Sequence, residues 1–363
     1  MESILIVLPD LYYGGAEKQF RYLIDGLSNY SRLKLIVCVE QAYGSKLEQQ
    51  ADEFIRNHGN VKFIKCKGLS VTSGEIKKLS GVFKLIPIIR KIVKDYQIET
   101  ILGYGALYSG AIKWIRKKGC RIVLGERCDG HYNNPLTKYS TRYADMVIAN
   151  SELAKEYMES IGYNNVFCIK NGISIQEDEI IRDKHEEFCI LVPGRISHQK
   201  NQIQIIKAVS YIKDFAIKVL FCGEIQDEKY YDECKKCIQE NNLQGKAEIL
   251  GVVSNMKECY QSADLVILAS YYEGTPNVLL ESFVYKCMCI ASNIDANKDV
   301  IRNNRFLFEL GDGKDLYDKI QEVRRLSDIE KKQIVDDNYK YVRENYSIER
   351  MVESYIDLLN LSV

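Results

Sequence analysis

The chain has 363 residues, enough for two domains of ordinary size. Hydrophobic residues at 46% and charged residues at 28% describe a soluble globular protein and exclude a disordered one. Lys+Arg 50 balance Asp+Glu 50, which argues against a general nucleic-acid binder, whose contact face makes it basic.

The first element is the apolar run Ile4-Leu5-Ile6-Val7-Leu8. It is too short for a signal-peptide core, lacks a basic lead and meets Pro9, so it reads as a buried strand. No stretch reaches the ~18 apolar residues of a membrane span. The expected location is the cytoplasm, with docking on the inner face of the membrane left open. The 12 Cys are scattered, several in strand-like runs, and are expected to be buried reduced thiols.

Short apolar runs then alternate with helical stretches. Strands are expected at Ile4–Pro9, Leu33–Val39, Val61–Cys66, Thr100–Gly103, Arg121–Gly125, Met146–Ala149 and Val166–Lys170. The first helix shows in Ala16, Phe20, Leu23 and Leu27 at helical spacing. Strands apolar on both faces and separated by helices indicate a parallel sheet with α/β winding. The polar stretch Ser174 to Glu187 reads as a linker.

Alternation resumes with strands Phe188–Pro193, Lys218–Cys222, Ala247–Leu250, Leu265–Ala269 and Cys289–Ser292. Helices are expected at Asn201–Ile212, Asp227–Glu240, Asn255–Gln261 and Pro276–Tyr285, and the chain from Asp312 onward is wholly helical in pattern. The expected domains are 1–173, 187–345 and a returning segment 346–363. Two such α/β units put a ligand site in the cleft between them, beyond the carboxyl ends of the strands.

The most informative stretch is Glu273-Gly274-Thr275-Pro276-Asn277-Val278-Leu279-Leu280-Glu281. Two carboxylates bracket a turn that enters a helix, with Thr275 as expected N-cap and Pro276 at the first helical position. A helix N-terminus attracts phosphate, and a carboxylate accepts hydrogen bonds from paired sugar hydroxyls. The pattern suits a nucleotide sugar.

Gly194-Arg195 and Lys200 follow the first strand of the second half, and two cations at a strand exit can neutralise a diphosphate. Gly14-Gly15 lie between the first strand and first helix, where glycine permits close approach of a ligand. Alone, the glycine pair reads first as a tight turn and the cations as a solvated loop; the second reading weakens because the Glu273 loop leaves a strand end in the same half. Glu126-Arg127 and His131 after another strand are candidates for handling an acceptor hydroxyl, against the plain alternative of a charged loop. Asn171-Gly172 reads as a turn that also flanks a candidate hinge. His198 reads as a bystander. Cys234-Lys235-Lys236-Cys237 lies in an expected helix with no second pair, so it does not read as a zinc site. Lys113-Trp114-Ile115-Arg116-Lys117-Lys118 is a basic stretch with apolar interleaving, either a solvated helix face or a membrane-surface contact.

Together these residues resemble glycosyltransferase family 4, the retaining GT-B enzymes. The resemblance runs nearly the whole chain: Gly14 to Gln19, Ala144 to Ser151, Lys170 to Ile173, Gly194 to Asn201, Ala263 to Ser270, the paired glutamates and Ile290-Ala291-Ser292. It implies two Rossmann-like doubly wound domains facing a central cleft, with a C-terminal helix crossing back to the first. It implies that Arg195 and Lys200 hold the donor diphosphate, that Glu281 holds the ribose and that Glu273 contacts the donor sugar. Gly15 then approaches the donor, Gly274 to Asn277 meet sugar and phosphate, and Val252 or Val253 packs the base. No metal or other cofactor is expected. His131 is a rough positional match to a first-domain histidine near the donor sugar. Asn293 to Asn297 replace the commoner glycine-rich turn.

The implied function is transfer of a sugar, expected from a UDP sugar, to a glycan or lipid-linked glycan in cell-surface polysaccharide synthesis. The alternative is a non-catalytic homologue that binds a glycan or a partner transferase, although such a protein would be expected to lose one of the cations or glutamates. A nicotinamide oxidoreductase is a third reading, suggested by α/β winding alone and weakened by the missing G-x-G-x-x-G.

Overall fold

The apolar runs pair because a strand buried on both faces has nowhere stable to lie except inside a sheet. In the computed structural model, which describes residues 2–9, 11, 15–39, 46–66, 75–126, 139–175 and 186–361, they form two parallel sheets. The chain divides into one unit of Met1–Gly172 with Ile348–Val363 and a second of Ile173–Ser347.

The first unit carries β1 (Glu2–Leu8), β2 (Leu33–Val39), β3 (Lys62–Lys65), β4 (Thr100–Gly103), β5 (Arg121–Glu126), β6 (Met146–Ala149) and β7 (Val166–Cys168). Their order is β3-β2-β1-β4-β5-β6-β7, so the winding reverses between β1 and β4. Pro9 leaves β1 there, and Gly105 leaves β4 with φ +88, where a side chain would be strained and would crowd the Pro9 ring at 3.3 Å. Helix α1 (Gly15–Ser28) starts beyond the same edge.

The second unit carries β8 (Phe188–Pro193), β9 (Ile217–Cys222), β10 (Ala247–Gly251), β11 (Leu265–Leu268), β12 (Met288–Ser292) and the two-residue β13 (Leu307–Phe308). The order is β10-β9-β8-β11-β12-β13, with the reversal between β8 and β11. The sequence pattern missed β13 and the helix Asp295–Ile301. The helix after the Glu273 loop also starts one residue later than expected. Pro276 is its N-cap, not Thr275, because Pro276 has ψ 77 and the Asn277 N–H turns back to the Thr275 carbonyl at 2.9 Å. Of the expected linker, residues 176–185 lie outside the described residues.

The last helix, Ile348–Leu359, belongs to the first unit. Its Met351, Val352, Tyr355, Ile356 and Leu359 are buried, which is the spacing of one helical face. Val352 packs so closely on α1 that a Cβ at Gly26 would lie 2.2 Å from its Cγ2. The Tyr355 hydroxyl meets that of Tyr104 at 2.7 Å, and Arg121 Nη1 donates to the Leu359 carbonyl at 2.7 Å. Where the chain leaves and re-enters the second unit, Ile173 bridges Ser347, and the Ile173 N–H donates to the Tyr346 carbonyl at 2.7 Å.

Gln19 on α1 acts as a substitute backbone. Its Nε2 donates to the Gly172 carbonyl and its Oε1 accepts from the Gly172 N–H, both at 2.8 Å and both buried. Met351 Sδ shares that N–H at 3.2 Å. Replacing Gln19 with Met leaves the buried carbonyl unpaired, at a cost of about 1–3 kcal/mol. Gln19→Met is therefore expected to lower the urea midpoint with the m-value unchanged, and an unshifted midpoint would show that the clamp contributes nothing.

Candidate functional site

In doubly wound sheets, ligands collect where the strand order reverses, because loops diverge there and leave a crevice at the carboxyl ends. In the second unit the relevant loops follow β8 and β11, and they carry Gly194 to Lys200 and Ala269 to Pro276. Gly194 adopts φ +139 and Gly223, after β9, has its Cα so near that a Cβ would lie 2.0 Å from the Gly194 carbonyl oxygen. Two backbone bonds, Ile196 N–H to Glu224 O at 2.8 Å and Gln226 N–H to Ile196 O at 3.2 Å, hold the first loop against the β9 exit.

The two switch-point loops are tied to each other by three bonds. Lys200 Nζ donates to Glu273 Oε1 at 2.6 Å. The Gln199 carbonyl accepts from the Tyr271 N–H at 2.9 Å, and Gln199 Nε2 donates to the Tyr272 carbonyl at 2.9 Å. The Lys200 and Glu273 side chains are only 13% and 10% exposed, so the pair is largely desolvated and removing one partner would strand the other.

Behind Glu273 lies a buried polar chain. Ser270 Oγ donates to Glu273 Oε1 at 2.5 Å, Ser292 Oγ donates to the Ser270 carbonyl at 2.6 Å, and Asn297 Nδ2 donates to the Ser292 carbonyl at 2.9 Å. Ser270, Ser292 and Asn297 are all fully buried. Asn297 thus stands within the stretch that departs from the expected glycine-rich turn, and its side chain secures the end of β12.

Arg195 is exposed, with Gln199 Oε1 3.4 Å from its Nη2, while its backbone carbonyl accepts from Gln202 Nε2 at 2.8 Å. The backbone is fixed and the guanidinium presents itself to solvent. Glu281, in the helix Asn277–Val284, accepts from the Tyr260 hydroxyl at 2.9 Å. Burial, reinforced by the Glu281 carboxylate, pushes the Tyr260 phenol well above its usual pKa, so it serves as a donor. Tyr260 stacks on Tyr285 with centroids 4.9 Å apart. Val252 follows Gly251 (φ +69) at the end of β10 and is 77% exposed, whereas Val253 packs against the core. Gly274, Thr275 and Asn277 are half-buried and Pro276 is buried.

Arg195, Lys200 and Glu273 therefore stand on adjoining loops, with Lys200 and Glu273 in direct contact, and Glu281 lies in the helix that follows. In the first unit, Gly15 is the opening residue of α1 and Glu126 ends β5, buried. Gly14, Arg127 and His131 lie outside the described residues. His198 packs against Tyr230 with the rings tilted by 49° and their centroids 4.3 Å apart. Cys234 and Cys237 are buried in the helix Glu228–Glu240, where burial pushes the Cys234 thiol up to about 12. Among the described residues, no group of three His, Cys, Asp or Glu side chains could hold a metal ion.

Sequence reasoning missed Gln199, Tyr260, Ser270 and the exposed Tyr271 and Tyr272. The signal for Ser270 was available, since it is the polar residue that ends the apolar run of β11. Tyr260 had none, because its partner lies in another helix.

A cation–carboxylate cluster at the switch point of a Rossmann-like sheet defines an α/β enzyme built for an anionic, hydroxyl-bearing ligand. Residues 174–342 match the family model of the glycosyl transferases group 1, the curated relatives are named as glycosyltransferases, and the chain is a glycosyltransferase. It is 24% identical, over 99% of its length and 98% of the other's, to a Campylobacter jejuni protein named as a GalNAc-α-(1→4)-GalNAc-α-(1→3)-diNAcBac-PP-undecaprenol α-1,4-N-acetyl-D-galactosaminyltransferase. Among solved structures, Anabaena HepE in complex with UDP and glucose superposes with a TM-score of 0.78 at 16% identity, over 99% of this chain and 100% of that one. A glycosyltransferase from Rickettsia africae gives 0.77 at 21% identity, over 99% of both.

The buried chain behind Glu273 makes Ser270 a positioning residue. Ser270→Ala is expected to lower kcat roughly tenfold, the equivalent of one lost hydrogen bond to a charged group, while nucleotide affinity holds. An unchanged kcat in steady-state assays would remove Ser270 from the site.

Proposed function

We propose that the protein transfers a sugar from a UDP sugar to a lipid-linked glycan, with retention of configuration and without a metal, in the synthesis of cell-surface polysaccharide. The observation that carries this reading is the Lys200–Glu273 pair at the switch point, with the Arg195 guanidinium exposed on the same loop as Lys200. Leaving of the diphosphate builds negative charge on phosphate and positive charge on the sugar. Arg195 supplies a planar fork for phosphate oxygens, and Lys200 supplies a point charge. Losing one such preorganised group costs roughly 3–4 kcal/mol in barrier. With two cations in place, the leaving group needs no metal to offset its charge.

Glu273 then has two duties. It holds the Lys200 ammonium in place, and its carboxylate contacts the donor sugar. Glu281, oriented by Tyr260, accepts the ribose hydroxyls, Gly274 to Asn277 line the phosphate, and the exposed Val252 packs the base. On the first unit, Gly14 and Gly15 are assigned to the donor, Glu126 and Arg127 to the acceptor, and His131 to the reacting sugar, all by resemblance. The UDP complex of the Anabaena neighbour supports the donor, and the undecaprenol-linked substrate named for the Campylobacter relative supports the acceptor. Retention is assigned by the resemblance to the retaining GT-B enzymes. A lipid-linked acceptor would be met at the surface of a membrane. No described helix is long and apolar enough to cross one.

Glu281→Ala is expected to weaken UDP binding by about tenfold or more in calorimetry, and unaltered affinity would contradict its ribose role. Lys200→Ala is expected to lower kcat far more than UDP affinity, and equal losses would assign Lys200 to binding alone. Transfer is expected to continue undiminished in excess EDTA, and a rate restored only by added divalent cation would overturn the metal-free reading.

A further inference from the structure

In a chain with no net charge, cations gather on one side of the first unit, around two helices that the site described above does not use. On Glu75–Tyr96, residues Lys84, Arg90, Lys91 and Lys94 are exposed. After Ala106–Ile115 come Arg116, Lys117 and Lys118, also exposed. Among the described residues of these segments, the acids are Glu75, Asp95 and Glu99, with Asp145 paired to Arg116 at 2.8 Å.

Apolar groups are set among the cations. Phe83 is 57% exposed and its ring lies 6.3 Å from that of Trp114. Pro87 is exposed one turn on. The two helices are locked together at this point, since Arg90 Nε donates to the Trp114 carbonyl at 2.8 Å. Lys113 bonds the Tyr139 hydroxyl and lies over the rings of Tyr139, Trp114 and Tyr143 at 4.3, 5.7 and 5.5 Å. The aromatic cluster is therefore a rigid surface feature. Beside it, Arg116, Lys117, Lys118 and Arg121, outnumbering Glu2, Glu99 and Asp145, line an open depression of about 930 Å³ at the amino ends of β4 and β5.

We infer that this face docks on an anionic phospholipid surface, with Phe83 and Trp114 entering the headgroup layer and the surrounding lysines and arginines pairing with lipid phosphates. An exposed phenylalanine beside a half-buried tryptophan, with cations around them, matches such an interface, where the ring meets the acyl boundary and each ammonium stays in the headgroup zone. A protein partner is less well matched, because its contact face would have to be both apolar and acidic. The inference rests on the proposal of a lipid-linked acceptor, which must be met at a membrane.

The test is cosedimentation with vesicles, run beside sugar transfer to a water-soluble acceptor analogue. The chain is expected to bind phosphatidylcholine vesicles that contain phosphatidylglycerol, to ignore phosphatidylcholine alone, and to be released by salt. Lys91→Glu, Lys94→Glu and Lys117→Glu combined are expected to weaken binding on the order of 100-fold, given the pull of each basic residue at an anionic surface. Phe83→Ser is expected to weaken it as well, and both variants should keep transfer to the soluble analogue. Equal binding to neutral vesicles, undiminished binding by the triple variant, or self-association through this face in place of vesicle binding would overturn the inference. Docking without transfer to any lipid-linked acceptor would uphold the surface and remove the functional proposal alone.

Discussion

The ion pair between Lys200 and Glu273 is the constraint on which the site depends. An ammonium and a carboxylate this sheltered are stable only if each is held where the other needs it. That requirement reaches outward. Glu273 is held by Ser270, Ser270 by Ser292, and the end of β12 by Asn297. Lys200 is held through Gln199, whose carbonyl and amide grip the opposite loop. The sheet order explains why these loops meet, because β8 and β11 are neighbours only where the winding reverses. The paired charges thus rest on the core of the second unit, an arrangement that would need little reorganisation if charge develops beside them.

Exposure separates the roles of the two cations. Lys200 is paired with Glu273 and fixed before any ligand arrives, so its charge is set in place in advance. Arg195 is exposed, its carbonyl anchored by Gln202 and its guanidinium held only by the long 3.4 Å bond to Gln199, so its side chain has room to turn toward an anion. An arrangement of one fixed and one adaptable cation fits a leaving group whose charge grows during the reaction.

Much of the fold was legible because a parallel strand buried on both faces writes a continuous apolar run. The exit positions of Gly194, Arg195 and Glu273 could be read from the same runs. What escaped was whatever depends on partners distant in sequence. Leu307–Phe308 is too short to carry a period. The start of the Asn277 helix turned on the ψ of Pro276, which composition does not reveal. Gln19 looked like one more polar residue on an amphipathic helix until Gly172 was found against it. Lys200 and Glu273 were each legible as ligand groups, but not as partners, since only the register of β8 beside β11 brings them together.

The central claim is that this sheltered pair and Arg195 form the seat of a pyrophosphate. A crystal structure of the protein with UDP bound tests it most directly. The account predicts both phosphates within hydrogen-bonding reach, about 3 Å, of Arg195 and Lys200, with the ribose on Glu281 and the Lys200–Glu273 contact kept. Bound UDP that leaves Lys200 and Arg195 without a phosphate contact would contradict it.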